Sequence, residues 1–274
     1  MTSAPLDTAA LRARLVAPHG PYAALDVVAS TGSTNSDLAE AAGAGAADRT
    51  VLIAERQTAG RGRMHRTWVS EQGAGLYLSV LLRPEGVPPA RLGWLPLLAG
   101  VVLVDLARDT AGVPAAVKWP NDLLAGEHRA KCAGVLAEVV GGPAAVLGVG
   151  LNVNQRPEDL PSGAGGLPAT SLAAEGAART DRTELAIALL TGLAAWESRW
   201  REHAGDPVAS GLLDAYRRVC GTLGEQVRVQ LPAGGEVLGA AQDVDEEGRL
   251  LVRSGSGAII PVSAGDVVHV RPVG

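Results

Sequence analysis

The chain has 274 residues, with 24 basic and 29 acidic side chains and a net charge of −5 at pH 7. Hydrophobic residues make up 47% of it, which predicts a packed globular core and excludes wholesale disorder. The negative charge argues against a general nucleic-acid binder, because such a protein needs a basic face to displace counterions. No apolar secretory segment precedes Pro21, and the longest apolar run, Trp94 to Val104, is too short to span a bilayer. We therefore expect a cytoplasmic protein without a membrane partner.

Only two of the 24 basic residues are lysines, Lys118 and Lys131; the other 22 are arginines. On a solvated surface the two residue types serve almost equally well, so a remaining lysine is a candidate for a site that needs a compact ammonium group. Residue usage in an Ala- and Gly-rich proteome explains the same imbalance.

Hydrophobic periodicity predicts mixed helices and strands over the first 220 residues. The helix that we expect over residues 34–42 has Thr34 as a possible N-cap. In chain order we expect a helix over 7–16, a strand over 25–28, a helix over 34–42, strands over 51–54 and 76–82, a helix over 91–108, three strands around 118, over 131–140 and over 144–149, a loop over 155–169, and helices over 185–200 and 206–220.

After Gly221 the pattern changes to short strands. Val227, Val229 and Leu231 alternate with polar residues, as in a half-buried strand. Similar segments lie around 237, over 250–253, 259–262 and 267–270, with glycine-bearing turns between them, and predict a small β-barrel. We therefore divide the chain into domains of residues 1–221 and 222–274.

Five short segments carry candidate chemistry. Residues 55–68 place four arginines within eleven positions beside Gly60 and Gly62, which predicts either a solvated loop or a mobile loop that orders over an anionic ligand. The segment Lys118-Trp119-Pro120-Asn121-Asp122 is a turn that could hold phosphates and Mg²⁺. The other three are Lys131-Cys132-Ala133-Gly134 at the head of a strand, Ser33-Thr34-Asn35 at a helix start, and Gly148 to Asn154, which fits neither phosphate-loop fingerprint.

Taken together and in this order, the five segments resemble the biotin protein ligases, also called biotin–[acetyl-CoA-carboxylase] ligases. The family shows a Ser-Thr-Asn start, a Gln-x-x-Gly-Arg-Gly-Arg loop ending in Arg-x-Trp, a Lys-Trp-Pro-Asn-Asp turn, a Lys-x-Ala-Gly-x-Leu-x-Glu strand and a Gly-x-Asn-x-Asn segment. The resemblance implies an α+β fold: a mixed-sheet catalytic domain related to class II aminoacyl-tRNA synthetases, followed by a small SH3-like barrel.

The resemblance also implies a reaction in two steps. Biotin and ATP first give biotinyl-5′-AMP and pyrophosphate with Mg²⁺, and a lysine of the biotin carboxyl carrier protein then takes the biotin. It assigns Lys131 and Arg63 to catalysis and Asp122 to Mg²⁺. It assigns biotin binding to Ser33, Thr34, Asn35, Gln57, Arg61, Gly62, Arg63, Lys131 and Gly134, and nucleotide binding to Arg66, Trp68, Lys118, Asn121, Asp122 and Asn152.

The chain departs from the family at His65, a position that is commonly Gly. About 25 residues precede the first expected strand, too few for the winged helix of the family's repressor members, so we expect no DNA partner. We also expect a monomer or weak homodimer. Three alternatives stay open: a lipoate or octanoate ligase, a non-catalytic nucleotide- or biotin-binding protein, and an RNA-binding protein. A lipoate ligase would not need the polar set of Ser33–Asn35 and Gln57, because lipoate has no ureido ring. Intact Lys131 and Arg63 argue against a non-catalytic binding protein, and the net negative charge argues against an RNA-binding protein.

Overall fold

A computed structural model of the chain describes residues 4–161, 167–232 and 234–269. Seven strands form a mixed sheet, and five later strands form a separate antiparallel sheet. The predicted α+β architecture of a mixed sheet followed by a small all-β unit is confirmed. The boundary between residues 221 and 222 stays a prediction.

The described elements begin and end as follows. The helices are α1 (Thr8–Leu15), α2 (Thr34–Gly43), α3 (Leu95–Asp105), α4 (Arg182–Glu202) and α5 (Leu212–Val219). The strands are β1 (Ala24–Val28), β2 (Thr50–Ala54), β3 (Gly75–Leu82), β4 (Ala115–Lys118), β5 (Asp122–Ala125), β6 (Ala130–Val139), β7 (Ala145–Asn152), β8 (Gln226–Gln230), β9 (Glu236–Val244), β10 (Leu250–Arg253), β11 (Ile259–Val262) and β12 (Asp266–His269).

The seven-stranded sheet has the order β1-β2-β3-β7-β6-β5-β4, and only β1 and β2 run parallel. Strand β5 lies where only a turn was predicted, so four strands rather than three occupy residues 115–152. Its four residues are all buried and show no polar alternation, which removes the period-two signal of a half-buried strand. In the centre of the sheet Gly134 of β6 pairs with Gly150 of β7.

The long helix predicted over 91–108 is a composite of a 3-10 turn at Pro89–Trp94, helix α3 and a wider π-type turn at Leu106–Thr110. By length and composition alone the described segment Pro89–Thr110 could cross a membrane, but 72% of its most apolar stretch of 18 residues is buried inside the protein. It is therefore the core helix, and it packs on the sheet, α4 and α5.

Two helix starts differ from the prediction. Ser33, with extended backbone, is the N-cap of α2, and Thr34 is already its first helical residue. Helix α5 begins at Leu212 rather than Asp206, because the Asp206 carboxylate accepts the backbone N–H groups of Val208 and Ala209 in a separate turn. The last predicted strand ends at His269 in the described part, and Val270 lies outside the described residues.

Tryptophan side chains join the two sheets. The Trp94 indole N–H donates to the Glu246 carbonyl at 2.8 Å, and the Trp119 indole N–H donates to the Gly248 carbonyl at 3.0 Å. The Trp119 backbone N–H also donates to the Thr222 hydroxyl at 3.0 Å. The small sheet is thereby held beside the turn that contains Lys118.

The buried Glu197 gives a test of the packing. Its carboxylate accepts from Arg49 Nη2 at 2.5 Å and from Arg201 Nε at 2.7 Å, and the residue is 3% exposed. We expect Glu197→Ala to lower the free energy of unfolding by about 3 kcal/mol, because it leaves two guanidinium groups short of a partner. Glu184→Ala, on the exposed end of the same helix, should cost less than about 1 kcal/mol. Urea denaturation of both variants measures this; equal losses would contradict it.

Candidate active site

A cavity of about 150 Å³ lies between the face of the central sheet, the loop of residues 60–68 and the start of β12. Gly265, Asp266 and Val267 of the small sheet contribute to its wall. All fifteen site residues predicted from the sequence line it, namely Ser33, Thr34, Asn35, Gln57, Arg61, Gly62, Arg63, Arg66, Trp68, Lys118, Asn121, Asp122, Lys131, Gly134 and Asn152.

The loop of residues 60–68 is a closed hairpin over the cavity. The Gly62 N–H donates to the Arg66 carbonyl at 2.7 Å, and the Trp68 N–H donates to the Gly60 carbonyl at 2.8 Å. A Cβ at Gly60 would lie 2.5 Å from the Trp68 carbonyl oxygen, so glycine is required for this close approach. At the tip Met64 takes a left-handed conformation with φ of 53°.

Three arginines of the loop each bind a different element. Arg63 Nη1 donates to Asn121 Oδ1 at 3.0 Å, and Arg61 Nη2 donates to Glu138 Oε1 at 2.7 Å. The Arg66 guanidinium forms a salt bridge with Asp266 of β12. Burial lowers the pKa of Arg63, and the Asp122 carboxylate opposes this shift. The loop is thus docked on the central sheet and on the small sheet at once.

Both lysines of the chain meet at one carboxylate. Lys131 Nζ lies 2.7 Å from Asp122 Oδ1, and Lys118 Nζ lies 3.9 Å from Asp122 Oδ2. Burial lowers the pKa of Lys118, which the Asp122 charge opposes and the nearby Lys131 charge reinforces. Two carboxylates, those of Asp122 and Asp266, line the cavity against five cationic side chains, namely Arg61, Arg63, Arg66, Lys118 and Lys131. This excess of positive charge suits ligands that carry more than one negative group.

The predicted Mg²⁺ role of Asp122 finds no support in its surroundings. Lys131 Nζ is paired with Oδ1 and Lys118 Nζ lies 3.9 Å from Oδ2, so the positive charge of both lysines opposes a second cation at this carboxylate. Within residues 4–161, 167–232 and 234–269, no group of three His, Cys, Asp or Glu side chains could hold a metal. The donor set around Asp122 therefore does not fit a resident Mg²⁺ ion.

The apolar part of the cavity is a narrow slot against the sheet, and the Trp68 indole fills it. The Trp68 indole lies over the paired glycines, so that an added Cβ would come within 3.1 Å of it at Gly134 and 2.5 Å at Gly150. The Lys131 ammonium lies 5.7 Å from the centre of the indole, a cation–π distance. The Trp68 Nε1 atom is buried and has no hydrogen-bond partner.

The other end of the cavity is lined by small polar side chains. The Thr34 backbone N–H donates to Gln57 Oε1 at 2.9 Å, and the Thr34 hydroxyl lies 3.1 Å from the same oxygen. Ser79 Oγ lies 2.7 Å from Thr34 Oγ1 and 2.6 Å from Asn35 Oδ1. The Asn35 amide in turn donates to Glu138 Oε2 at 2.9 Å. This end can therefore offer both donors and acceptors to a polar ring.

Sequence reasoning missed three residues of this region. Ser79 is the one polar residue of strand β3, whose eight residues are all buried, and that isolation was a usable signal. Glu138 ends a recognised motif but received no role. Asp266 carried no sequence signal, because its contact with Arg66 depends on how the two sheets pack. Asn152 donates to the Thr170 carbonyl at 2.9 Å, so its amide is engaged with the neighbouring loop.

Similarity to known proteins extends over both sheets. Residues 27–154 match the Biotin/lipoate A/B protein ligase family, and residues 222–270 match the Biotin protein ligase C terminal domain. The chain is 46% identical to a biotin–[acetyl-CoA-carboxylase] ligase of Mycobacterium tuberculosis over 97% of both chains. It is 34% identical to the bifunctional ligase/repressor BirA of Bacillus subtilis over 85% of this chain and 69% of that one. The solved biotin protein ligase from Aquifex aeolicus in complex with biotin and ATP covers 91% of this chain and 100% of its own, with a TM-score of 0.75 and 29% identity.

The salt bridge between Arg66 and Asp266 predicts how firmly the hairpin is closed. We expect Asp266→Asn to speed trypsin cleavage within residues 60–68 about fivefold, because a partly exposed ion pair contributes up to about 1 kcal/mol to the closed form. Arg228→Gln, which removes the exposed Arg228–Glu236 pair of the small sheet, is the control. Timed digestion followed by mass spectrometry measures the cleavage rate. Identical rates in both variants would contradict a role of this salt bridge in closing the hairpin.

Proposed function

This chain belongs to the biotin protein ligases, within the biotin/lipoate A/B protein ligase family, and we propose that it joins biotin to the biotin carboxyl carrier protein of acetyl-CoA carboxylase at the expense of ATP. Its fold is the mixed-sheet catalytic domain related to class II aminoacyl-tRNA synthetases, with an SH3-like C-terminal unit. The observation that carries the proposal is the pair of lysines at Asp122, beside Arg63, at the junction of a polar end and an apolar slot.

In the first step an oxygen of the biotin carboxylate attacks the α-phosphorus of ATP. The bond from that phosphorus to the bridging oxygen of the β-phosphate breaks, and pyrophosphate leaves with the electron pair. The obstacle is the approach of two anions, so fixed positive charge and positioning lower the barrier and no protein nucleophile is needed. We assign this charge to Lys131 and Arg63 between the reacting groups, and to Lys118 and Arg66 on the phosphates.

In the second step the ε-amine of the carrier lysine attacks the carbonyl carbon of biotinyl-5′-AMP. The carbonyl–oxygen bond to the phosphate breaks, AMP leaves, and the amine loses one proton as the amide forms. AMP is a good leaving group because its phosphate remains an anion stabilised by the same cationic side chains. The geometry thus serves both steps with one set of charges.

The two ends of the cavity support biotin over lipoate as the acyl substrate. A ureido ring carries a carbonyl acceptor and two N–H donors, which match the mixed donors and acceptors around Thr34, Asn35 and Gln57. The slot over the glycines, which the Trp68 indole fills in the free protein, suits the apolar body of the same molecule once the indole moves aside. Lipoate has no group that would use the polar end, so it would forgo the hydrogen bonds that a ureido ring can make there.

We further propose that Mg²⁺ enters as a complex with the phosphates of ATP, since the donor set at Asp122 does not fit a resident ion. Absence of a DNA partner, a cytoplasmic location and a monomeric or weakly dimeric state also stay predictions. Among the described residues ahead of β1, α1 is the single helix.

Removal of the Lys131 ammonium tests the assignment of charge. We expect Lys131→Ala to slow biotin-dependent ATP–pyrophosphate exchange by about 10²–10³-fold, as for other preorganised groups that stabilise transition-state charge. Exchange with lipoate in place of biotin should stay at background. The control is Arg14→Ala, which removes an exposed surface pair with Glu184.

Two results would count against these assignments separately. Wild-type protein that exchanges with lipoate but not biotin would refute the proposed substrate. Full exchange by Lys131→Ala would refute the role of that lysine and leave the substrate standing.

The glycines beneath the Trp68 indole, Gly134 and Gly150, give a second test. Gly150→Ala places a Cβ 2.5 Å from Trp68 Cε2, so the indole must leave the slot. We expect the Kd for biotin, measured by titration calorimetry, to rise about 5- to 150-fold, because the added methyl overpacks biotin bound in the slot at a cost of about 1–3 kcal/mol. Gly255→Ala, where an added Cβ meets nothing within 4 Å, should bind as the wild type does. An unchanged Kd for Gly150→Ala would show that the slot is not the biotin site.

A further inference from the structure

Glu138 ends the strand motif that begins with Lys131, yet none of the roles above uses it. Its carboxylate has two partners on two different elements. Oε1 accepts from Arg61 Nη2 at 2.7 Å, and Oε2 accepts from Asn35 Nδ2 at 2.9 Å. One anionic group therefore links the hairpin loop to the start of α2, directly behind the polar end of the cavity.

An ionised carboxylate can only accept hydrogen bonds, and this fixes the orientation of the Asn35 amide. Nδ2 must face Glu138 and also the Leu136 carbonyl, which accepts from it at 3.3 Å, so Oδ1 faces Ser79, whose Oγ lies 2.6 Å away. Because an amide oxygen only accepts, the Ser79 hydroxyl proton is directed to it. Glu138, by the shorter bond, and the Leu136 carbonyl together set the donor and acceptor pattern that Asn35 and Ser79 adopt at the polar end.

The surroundings leave Asn35 little freedom to compensate. Its side chain packs directly on β7, where any Cβ at Gly148 would collide with Asn35 Oδ1. Asn35 is 5% exposed and Ser79 is 0% exposed, so water does not offer a substitute partner. A wrongly oriented amide here would leave buried polar atoms unpaired.

We propose that Glu138 is a positioning residue for the acyl substrate: it orients Asn35 and docks Arg61 so that the polar end is organised before the ligand enters. The inference rests on the proposed function, since Asn35 and Arg61 are among the residues assigned to biotin. Preorganisation of this kind strengthens binding of the group that it faces. It leaves the phosphate end, around Lys118 and Arg66, unchanged.

The test is Glu138→Gln, which keeps the size of the side chain. The new amide can donate as well as accept, so Asn35 keeps only the longer bond to the Leu136 carbonyl as a fixed acceptor, and Arg61 loses its ionic partner. We expect the Kd for biotin in the absence of ATP, and the KM for biotin in pyrophosphate exchange, to rise about tenfold. The KM for ATP and kcat should stay within about twofold of the wild type.

Two further variants separate positioning from folding. Glu138→Asp keeps an acceptor-only carboxylate and should recover part of the biotin affinity, whereas Glu138→Ala should not. Glu184→Gln, in an exposed pair with Arg14, removes the same charge and should bind biotin as the wild type does. Thermal melts of all variants report folding.

Three outcomes would overturn the inference. An unchanged Kd for biotin in Glu138→Gln refutes the positioning role. A parallel rise of both KM values with a fallen Tm assigns Glu138 to the fold alone. Wild-type protein that binds no biotin refutes the proposed function itself, and the inference falls with it.

Discussion

The site depends on one electrostatic constraint: several cationic groups must stand close together in a pocket that is largely shielded from water. Asp122 makes this possible, because its two oxygens face Lys131 and Lys118 at 2.7 and 3.9 Å. Without a carboxylate between them, two poorly solvated ammonium groups would repel each other and lose hydration with no compensation. An anion that enters the pocket competes with Asp122 for the same groups, so the charge is stable when the pocket is free and available when it is filled.

The scaffold serves this arrangement from three sides. The tight turn between β4 and β5 brings Lys118 and Asp122 to one end of the sheet, and β6 runs alongside β5 with Lys131 near its start. The hairpin of residues 60–68 closes from above, and its arginines reach the turn, β6 and β12. The small sheet is therefore part of the site rather than an appendage, since Asp266 and its neighbours form one wall.

The local patterns and the long-range contacts differed in how well they could be predicted. Alternating valines correctly placed β8, and the row of leucines and tryptophans correctly placed α4, because each pattern is local and periodic. The predictions at β5 and at the start of α5 were wrong. A fully buried strand such as β5 shows no alternation of polar and apolar residues. Ahead of α5, the Asp206 side chain caps a separate turn. The resemblance selected residues that all line one cavity. The Arg66–Asp266 and Asn35–Glu138 contacts could not be predicted, because they join segments far apart in sequence through packing that no short motif encodes.

The placement of the two lysines has a chemical consequence for the rest of the surface. An acyl adenylate is an electrophile that modifies any accessible amine it meets. Here the side-chain amines number two, and both are ammonium groups held by one carboxylate inside the pocket. The remaining cationic side chains are guanidinium groups, which stay protonated and do not act as nucleophiles near neutral pH. The outer side chains thus offer no lysine amine to the intermediate, and the amine of an incoming carrier lysine meets no competitor of its own kind there.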